Sequence, residues 1–164
     1  MRIIGIDPGL NKCGWGIIEQ HGSALKHVAN GVIKTPAQNI LSARLLNIDT
    51  ELTKVLDLYA PQSAAIEETF VNKSPASSLK LGAARGAAMV SAARYGLEVH
   101  EYGANLVKKS IVGAGHADKN QMMMMIKTLL PGVQVDSEDA ADALAIAICH
   151  ANHASTNAFV TGKM

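Results

Sequence analysis

Few short stretches restrict a fold as strongly as Arg2-Ile3-Ile4-Gly5-Ile6 running straight into Asp7-Pro8-Gly9. An apolar β-branched run marks a buried central strand, and Pro-Gly ends it abruptly. Asp7 is then the last side chain of that strand and emerges at the sheet edge, where open α/β sheets bind their ligands. An aspartate before Pro-Gly is also ordinary turn chemistry. Which of the two Asp7 is depends on what the rest of the chain brings to the same edge.

The strand pattern repeats. Cys13-Gly14-Trp15-Gly16-Ile17-Ile18-Glu19 reads as a second strand, and His21-Gly22 as a tight return into a third that runs to about Ile33, which together make an antiparallel meander. After Thr35-Pro36, Ile40, Leu41, Leu45, Ile48, Leu52, Val55 and Leu56 recur at helical spacing up to Tyr59. Ser63-Ala64-Ala65-Ile66 then forms a fourth strand that again ends on carboxylates, Glu67 and Glu68. A strand covered on both faces shows no alternation, so its pattern does not choose between these two glutamates.

Ser74-Pro75 opens a helix to Tyr95 built mostly of alanine and glycine, with Ser74 as cap and Pro75 in the first turn. Side chains this small let another backbone come close. Gly82, Ala83, Gly86, Ala87 and Val90, spaced by three and four, form a candidate contact face for a second copy of the chain. Leu97 to Tyr102 is a fifth strand, followed by a short helix from Asn105, a glycine-bounded loop at 113–115 and a helix from Asp118 to Leu130. The run Met122-Met123-Met124-Met125 cannot all face inward; it is adaptable core filling or contact with a partner. The last helix begins near Asp136-Ser137 and carries Glu138, Asp139 and Asp142, the last two on one face. Acids favour a helix N-terminus in any case, but that does not account for acids at strand ends.

At 164 residues and 48% apolar content, the chain is sized for one domain. The expected division is a folded domain over 1–153 and a short polar tail over 154–164. No run approaches a membrane span and the start lacks a signal peptide's pattern, so a cytoplasmic location is expected. Cys13 and Cys149 suit neither a disulfide framework nor a zinc site. The net charge of +1 hides an asymmetry: residues 73–127 hold eight basic and three acidic side chains, and 128–164 one basic and four acidic. A basic block matches a polyanionic partner. Strand-end and helix-start carboxylates, if they converge, need a cation, and hard Mg²⁺ fits oxygen ligands completed by phosphate. Together these point to phosphodiester hydrolysis on nucleic acid.

The residues at this point resemble the RuvC-type Holliday junction resolvases, crossover junction endodeoxyribonucleases of the ribonuclease H-like fold. The likeness runs through Gly5-Ile6-Asp7-Pro8-Gly9, Ala65-Ile66-Glu67, Leu79-Lys80-Leu81-Gly82, Ala84-Arg85-Gly86, Val107-Lys108, Val112-Gly113, Lys119 and Asp139-Ala140-Ala141-Asp142-Ala143-Leu144-Ala145. The resemblance implies an α/β fold with a five-stranded mixed sheet, three antiparallel strands then two parallel, flanked by helices. It selects Glu67 over Glu68 and Asp139 over Glu138 and Asp136, and makes Asp7, Glu67, Asp139 and Asp142 the catalytic metal ligands. Two Mg²⁺ ions are expected, with Mn²⁺ as a substitute. Lys119 is implied as a catalytic and DNA-binding residue, with Phe70, Lys80, Arg85 and Lys108 also on DNA and Phe70 stacking on bases. The implied partners are four-way junction DNA, a second copy of the chain, and a branch-migration helicase complex of the RuvA and RuvB type. Asp-Pro-Gly also resembles the phosphate loop of actin-like ATPases and sugar kinases, but those need two lobes, and their chemistry leaves Glu67 and the Asp139/Asp142 pair unexplained.

Overall fold

The computed structural model describes residues 1–69, 74–113 and 117–161, with side chains of the last helix described as far as residue 154. Strands β1 (Arg2–Asp7), β2 (Lys12–His21) and β3 (Ala24–Lys34) form the meander. Helix α1 (Leu41–Tyr59) leads to β4 (Ser63–Glu67), α2 (Pro75–Arg94) to β5 (Val99–Tyr102), and α3 (Ala104–Val112), α4 (Lys119–Leu129) and α5 (Glu138–Thr161) follow. The sheet order is β3-β2-β1-β4-β5, with β1–β2 and β2–β3 antiparallel and β1–β4 and β4–β5 parallel. This is the mixed five-stranded sheet expected from the sequence.

Side chains alternate across a strand, and the sheet is covered on both faces. Ile4, Ile6, Ile17, Ala64 and Ile66 pack under α1 and α2, against Ile48, Leu52, Leu56, Ala84 and Ala88. Ile3, Ile18 and Ala65 face the other way, into a core built by α3, α4 and α5. Asp7 therefore shares a face with Ile3, and Glu67 with Ala65: both belong to the α5 side. Asp49 on α1 clamps the outer layer, accepting hydrogen bonds from Ser91 Oγ (2.6 Å) and from Arg94 Nη1 (3.2 Å) on α2.

Helix α5 lies almost directly on the backbone of β1 and β2. A Cβ added to Gly5 would sit 2.0 Å from the Ala143 carbonyl oxygen, and one on Gly14 would sit 2.1 Å from that of Asp139. Only glycine on the strands permits this approach, and it sets the first turn of α5 beside the end of β1.

Element boundaries differ from the sequence reading where backbone groups are used otherwise. Leu97 donates its N–H to the Ala92 carbonyl (3.1 Å) and closes the end of α2, so β5 begins only at Val99. Ser137 caps α5 by accepting from the Ala140 N–H (3.1 Å) rather than lying inside it. Helix α5 has helical backbone as far as Thr161. Ser74 and Pro75 do open α2, and Asp118 with Gln121 forms a capping box on α4.

Candidate active site

Three elements deliver four carboxylates to one edge. The register pairs Ile6 with Ile66 across the parallel strands β1 and β4, so Asp7 and Glu67 are the next residues on neighbouring strands, at the carboxyl ends of both. Asp7 also lies opposite Gly14 on β2, and Gly14 is the position over which the Asp139 backbone is pressed. Asp142 follows one turn along the same helix face.

The electrostatics confirm that these groups feel one another. The Asp7 carboxyl is pushed up to about 8, first by burial and then by the charges of Asp142, Glu67 and Asp139. A hydrogen bond with Glu67 acts in the same direction. Glu67 is itself raised by burial and by Asp142, with Lys108 and the Asp7 hydrogen bond acting in the opposite sense. Asp142 reaches solvent, yet the protein packed around it raises its carboxyl, and Lys119 and Lys108 offset part of that while Asp139 and Glu138 add to it.

Such a set is chemically an oxygen-donor site for a hard cation. A buried acid holding a proton at neutral pH is what crowded carboxylates do when nothing else balances their charge. The four are not a closed cage: among the described residues no three His, Cys, Asp or Glu side chains are drawn together tightly enough to hold an ion by themselves. That suits Mg²⁺, which retains water and takes substrate phosphate as ligands.

A cleft of about 410 Å³ opens beside the carboxylates, with Glu67 and Asp142 in its wall and Lys108 and Lys119 among its lining. Lys108 is half-buried there, whereas Lys119 is exposed and forms an ion pair with Glu138, which holds its ammonium above the ordinary range. Lys80 is exposed on α2. Phe70 lies outside the described residues.

Arg85, expected on DNA, is engaged within the chain. Its Nε donates to the Glu67 main-chain carbonyl (3.1 Å) and its guanidinium forms an ion pair with Glu101. It ties α2 to the ends of β4 and β5, and so fixes the strand end that carries Glu67. The sequence reading also missed Lys12, whose ammonium lies 3.8 Å from an Asp139 carboxylate oxygen. Its only signal was its place as first residue of the strand returning past Asp7. Buried Arg44 was missed as well: it reaches from α1 to the Leu10 carbonyl (3.1 Å), Asn11 Oδ1 and Thr35 Oγ1 (2.8 Å), bracing the turn between Asp7 and Lys12. Nothing in its sequence surroundings marks it. Both cysteines are free and buried, and burial pushes the Cys13 thiol up to about 12.

A ribonuclease H-like sheet with acids at the ends of β1 and β4 and at the start of α5 defines a nuclease of the resolvase class. The family model for "Crossover junction endodeoxyribonuclease RuvC" matches residues 3–150, and the chain belongs to that family. Relatives bearing the same description include those of Ruegeria pomeroyi, 54% identical over 96% of this chain and 95% of that protein, and Gluconobacter oxydans, 53% identical over 99% and 98%. Among solved structures, Thermus thermophilus RuvC in complex with Holliday junction substrate superposes with a TM-score of 0.89 at 32% identity, covering 96% of both chains. The yeast mitochondrial resolvase Ydc2 shares the fold at 12% identity, with a TM-score of 0.70 over 96% of this chain and 80% of its own. Among the described residues no helix is long and apolar enough to cross a membrane.

Proposed function

We propose that the chain resolves four-way DNA junctions, hydrolysing one phosphodiester in each of two opposed strands as a homodimer. The observation that carries this reading is the meeting of Asp7, Glu67, Asp139 and Asp142 at one sheet edge, in a family whose Thermus thermophilus member was solved with a Holliday junction. Asp7, Glu67, Asp139 and Asp142 would hold Mg²⁺, or Mn²⁺ in its place, and a pair of such ions supplies an activated water and stabilises the leaving oxygen.

The chain's own side chains prepare that site. The Asp7 proton must leave before Asp7 and Glu67 can both act as ligands, so cutting should rise with pH as Asp7 ionises. Lys12 steadies Asp139 from the β1–β2 turn, and Arg85 holds the end of β4. Lys108 and Lys119 flank the position of the scissile phosphate, where an ammonium stabilises charge gained in the transition state. Lys119 is released to do so when phosphate replaces Glu138 as its partner. Lys80 and Phe70 retain their expected roles, one on backbone phosphate and one stacking on bases near the crossover.

Two opposed cuts require two sites, and one chain supplies one. On α2, Leu79, Gly82 and Val90 are exposed, and Cβ atoms at Gly82 and Gly86 would meet nothing within 4 Å. This open stripe is the surface for the second copy, related by a two-fold axis. Ala87 is not part of it, because that residue packs on the chain's own core beneath α2. A helicase complex of the RuvA and RuvB type remains the proposed partner for delivering junctions.

The test is Asp7→Asn on a labelled four-arm junction. Nicking should fall by about a thousandfold, the scale of losing a group that organises transition-state charge, while junction affinity changes little because phosphate contacts lie elsewhere. Near-normal nicking by this variant, or ATP turnover by the wild type in place of junction cutting, would refute the assignment.

A further inference from the structure

The methionine run finds a use in the cleft. Its four members separate: Met124 is exposed, Met125 packs on the α5 core, and Met122 and Met123 combine a core-facing side with a place in the cleft lining. One wall of the cleft carries Glu67 and Asp142, and two ammonium groups, Lys108 and Lys119, also line it. Glu138, the ion-pair partner of Lys119, and Asn120 line it as well, and Val107, Met122, Met123, Ala145 and Ile146 supply most of its apolar surface. The volume of about 410 Å³ is in the range that encloses a small ligand.

We infer that this apolar end receives one unstacked nucleobase of the cut strand, the base next to the scissile phosphate, with Met122 and Met123 as its floor. The inference rests on the nuclease reading above. On α4 Met122 and Met123 follow Lys119 by about one turn, and on α5 Ala145 and Ile146 follow Asp142 by about one turn, so on each helix the lining passes from charged to apolar over a distance comparable to that from a phosphate to its own base. Charge selects the phosphate end and the apolar surface the base end, so the cleft matches a nucleotide from end to end. Thioethers suit the task, since they are polarisable, adaptable and make favourable contacts with aromatic rings.

One further residue gives the pocket a means of choosing. Asn120 is the only uncharged polar side chain among the described residues lining the cleft. Its amide offers both a donor and an acceptor to a base edge. Met122 and Met123 are assigned to affinity for any base there, and Asn120 to preference among bases.

Abasic scanning tests this. Nucleotides flanking the mapped cut are replaced one at a time by abasic residues, and single-turnover cleavage in Mg²⁺ is measured for wild type, for Met122→Ala combined with Met123→Ala, and for Asn120→Ala. In the wild type one position should slow cutting by about tenfold when its base is removed, the scale of losing one stacked base. The methionine variant should be slowed by a similar factor on the intact junction and be indifferent to the loss of that base. Asn120→Ala should slow cutting at the preferred site by about tenfold while leaving other sequences nearly unchanged, so that the preference among bases is lost. Replacing both methionines with leucine keeps an apolar floor and should restore sensitivity to the abasic position, which separates loss of the pocket from loss of the fold. A wild-type scan with no position slowed more than about twofold overturns the pocket, as does a folded methionine variant as sensitive as wild type. A wild type that cuts no junction would instead overturn the nuclease reading.

Discussion

Helices α2 and α5 are built from the same material and do opposite things. Both are rich in alanine, and both combine small residues with glycine in the contact they form or offer. On α5 the contact is closed within the chain: Ala143 and Ala147 press on Gly5, and Asp139 on Gly14, so closely that a single added methyl group would overlap backbone atoms. On α2 one face, with Ala84, Ala88 and Ala92, is buried, while Gly82 and Gly86 look into open space. Small residues therefore mark close approach without saying to what. The chain uses one such helix to set its acids against a strand end, and leaves part of the other open, the stripe proposed above for a second copy.

The largest effect expected from this contrast is electrostatic. The native protein keeps the Asp7 proton up to about pH 8, whereas an unperturbed aspartate gives it up near 3.8, so between those values the folded state binds the extra proton and stability falls as pH rises. In the absence of divalent cations, Asp7→Asn should remove most of that slope and stabilise the protein at pH 7 by on the order of 4 kcal/mol. Denaturant melts of both proteins from pH 4 to 8 measure it as their difference, because Glu67, Asp142 and His150 add slopes of their own to each; a difference that stays flat across that range would place the coupled acid elsewhere. No comparable pH dependence should follow from substitutions along the open stripe of α2.

Next comes the closed contact. Gly5→Ala should cost about 3 kcal/mol, the upper range for overpacking, because the obstructing atoms belong to helix backbone and α5 must move as a body. The shift would part Asp142 and Asp139 from Asp7, so nicking should fall even at temperatures where the variant remains folded. Full activity in a stably folded Gly5→Ala protein would show that α5 does not depend on this approach to position its acids.

The smallest effect belongs to the open stripe. Gly86→Ala meets nothing within 4 Å and should raise the stability of the single chain by about 1 kcal/mol, the usual gain in a helix interior. Gly86→Glu should leave folding nearly unchanged but convert dimer to monomer in sedimentation, with single nicks replacing paired cuts. A Gly86→Glu protein that still sediments as a dimer would move the interface off this stripe, and a monomeric wild type making paired cuts would remove the need for one.

Much of the fold was legible because local rules and tertiary demands agree. β-branched runs, Pro-Gly, the Ser74-Pro75 start and the helical spacing before Tyr59 specify elements whose order already restricts the sheet. The contacts of Arg85 within the chain were not legible, for the converse reason. A basic residue in a basic block looks like a phosphate ligand, and only the packing of α2 beside β4 shows its guanidinium engaged by the Glu67 carbonyl and by Glu101. Lys12 and Arg44 escaped notice because their partners are residues brought near by folding.

By itself the sequence determined most of the elements, the antiparallel meander of the first three strands and the acids available at strand ends and at the start of α5, since these follow from periodicity, turn chemistry and charge along the chain; the parallel pairing of the last two strands came from family likeness. It did not determine, from pattern alone, which of Glu67 and Glu68 serves the site; family likeness had to supply that. The tertiary structure gives the direction: Ala65 faces the α5 core, so the residue two further on, Glu67, faces the same side as Asp7. It likewise decides that α5 is satisfied within the chain while α2 keeps an open stripe. Neither fact could be read locally, because a side chain's direction acquires meaning only when the opposing surface is present.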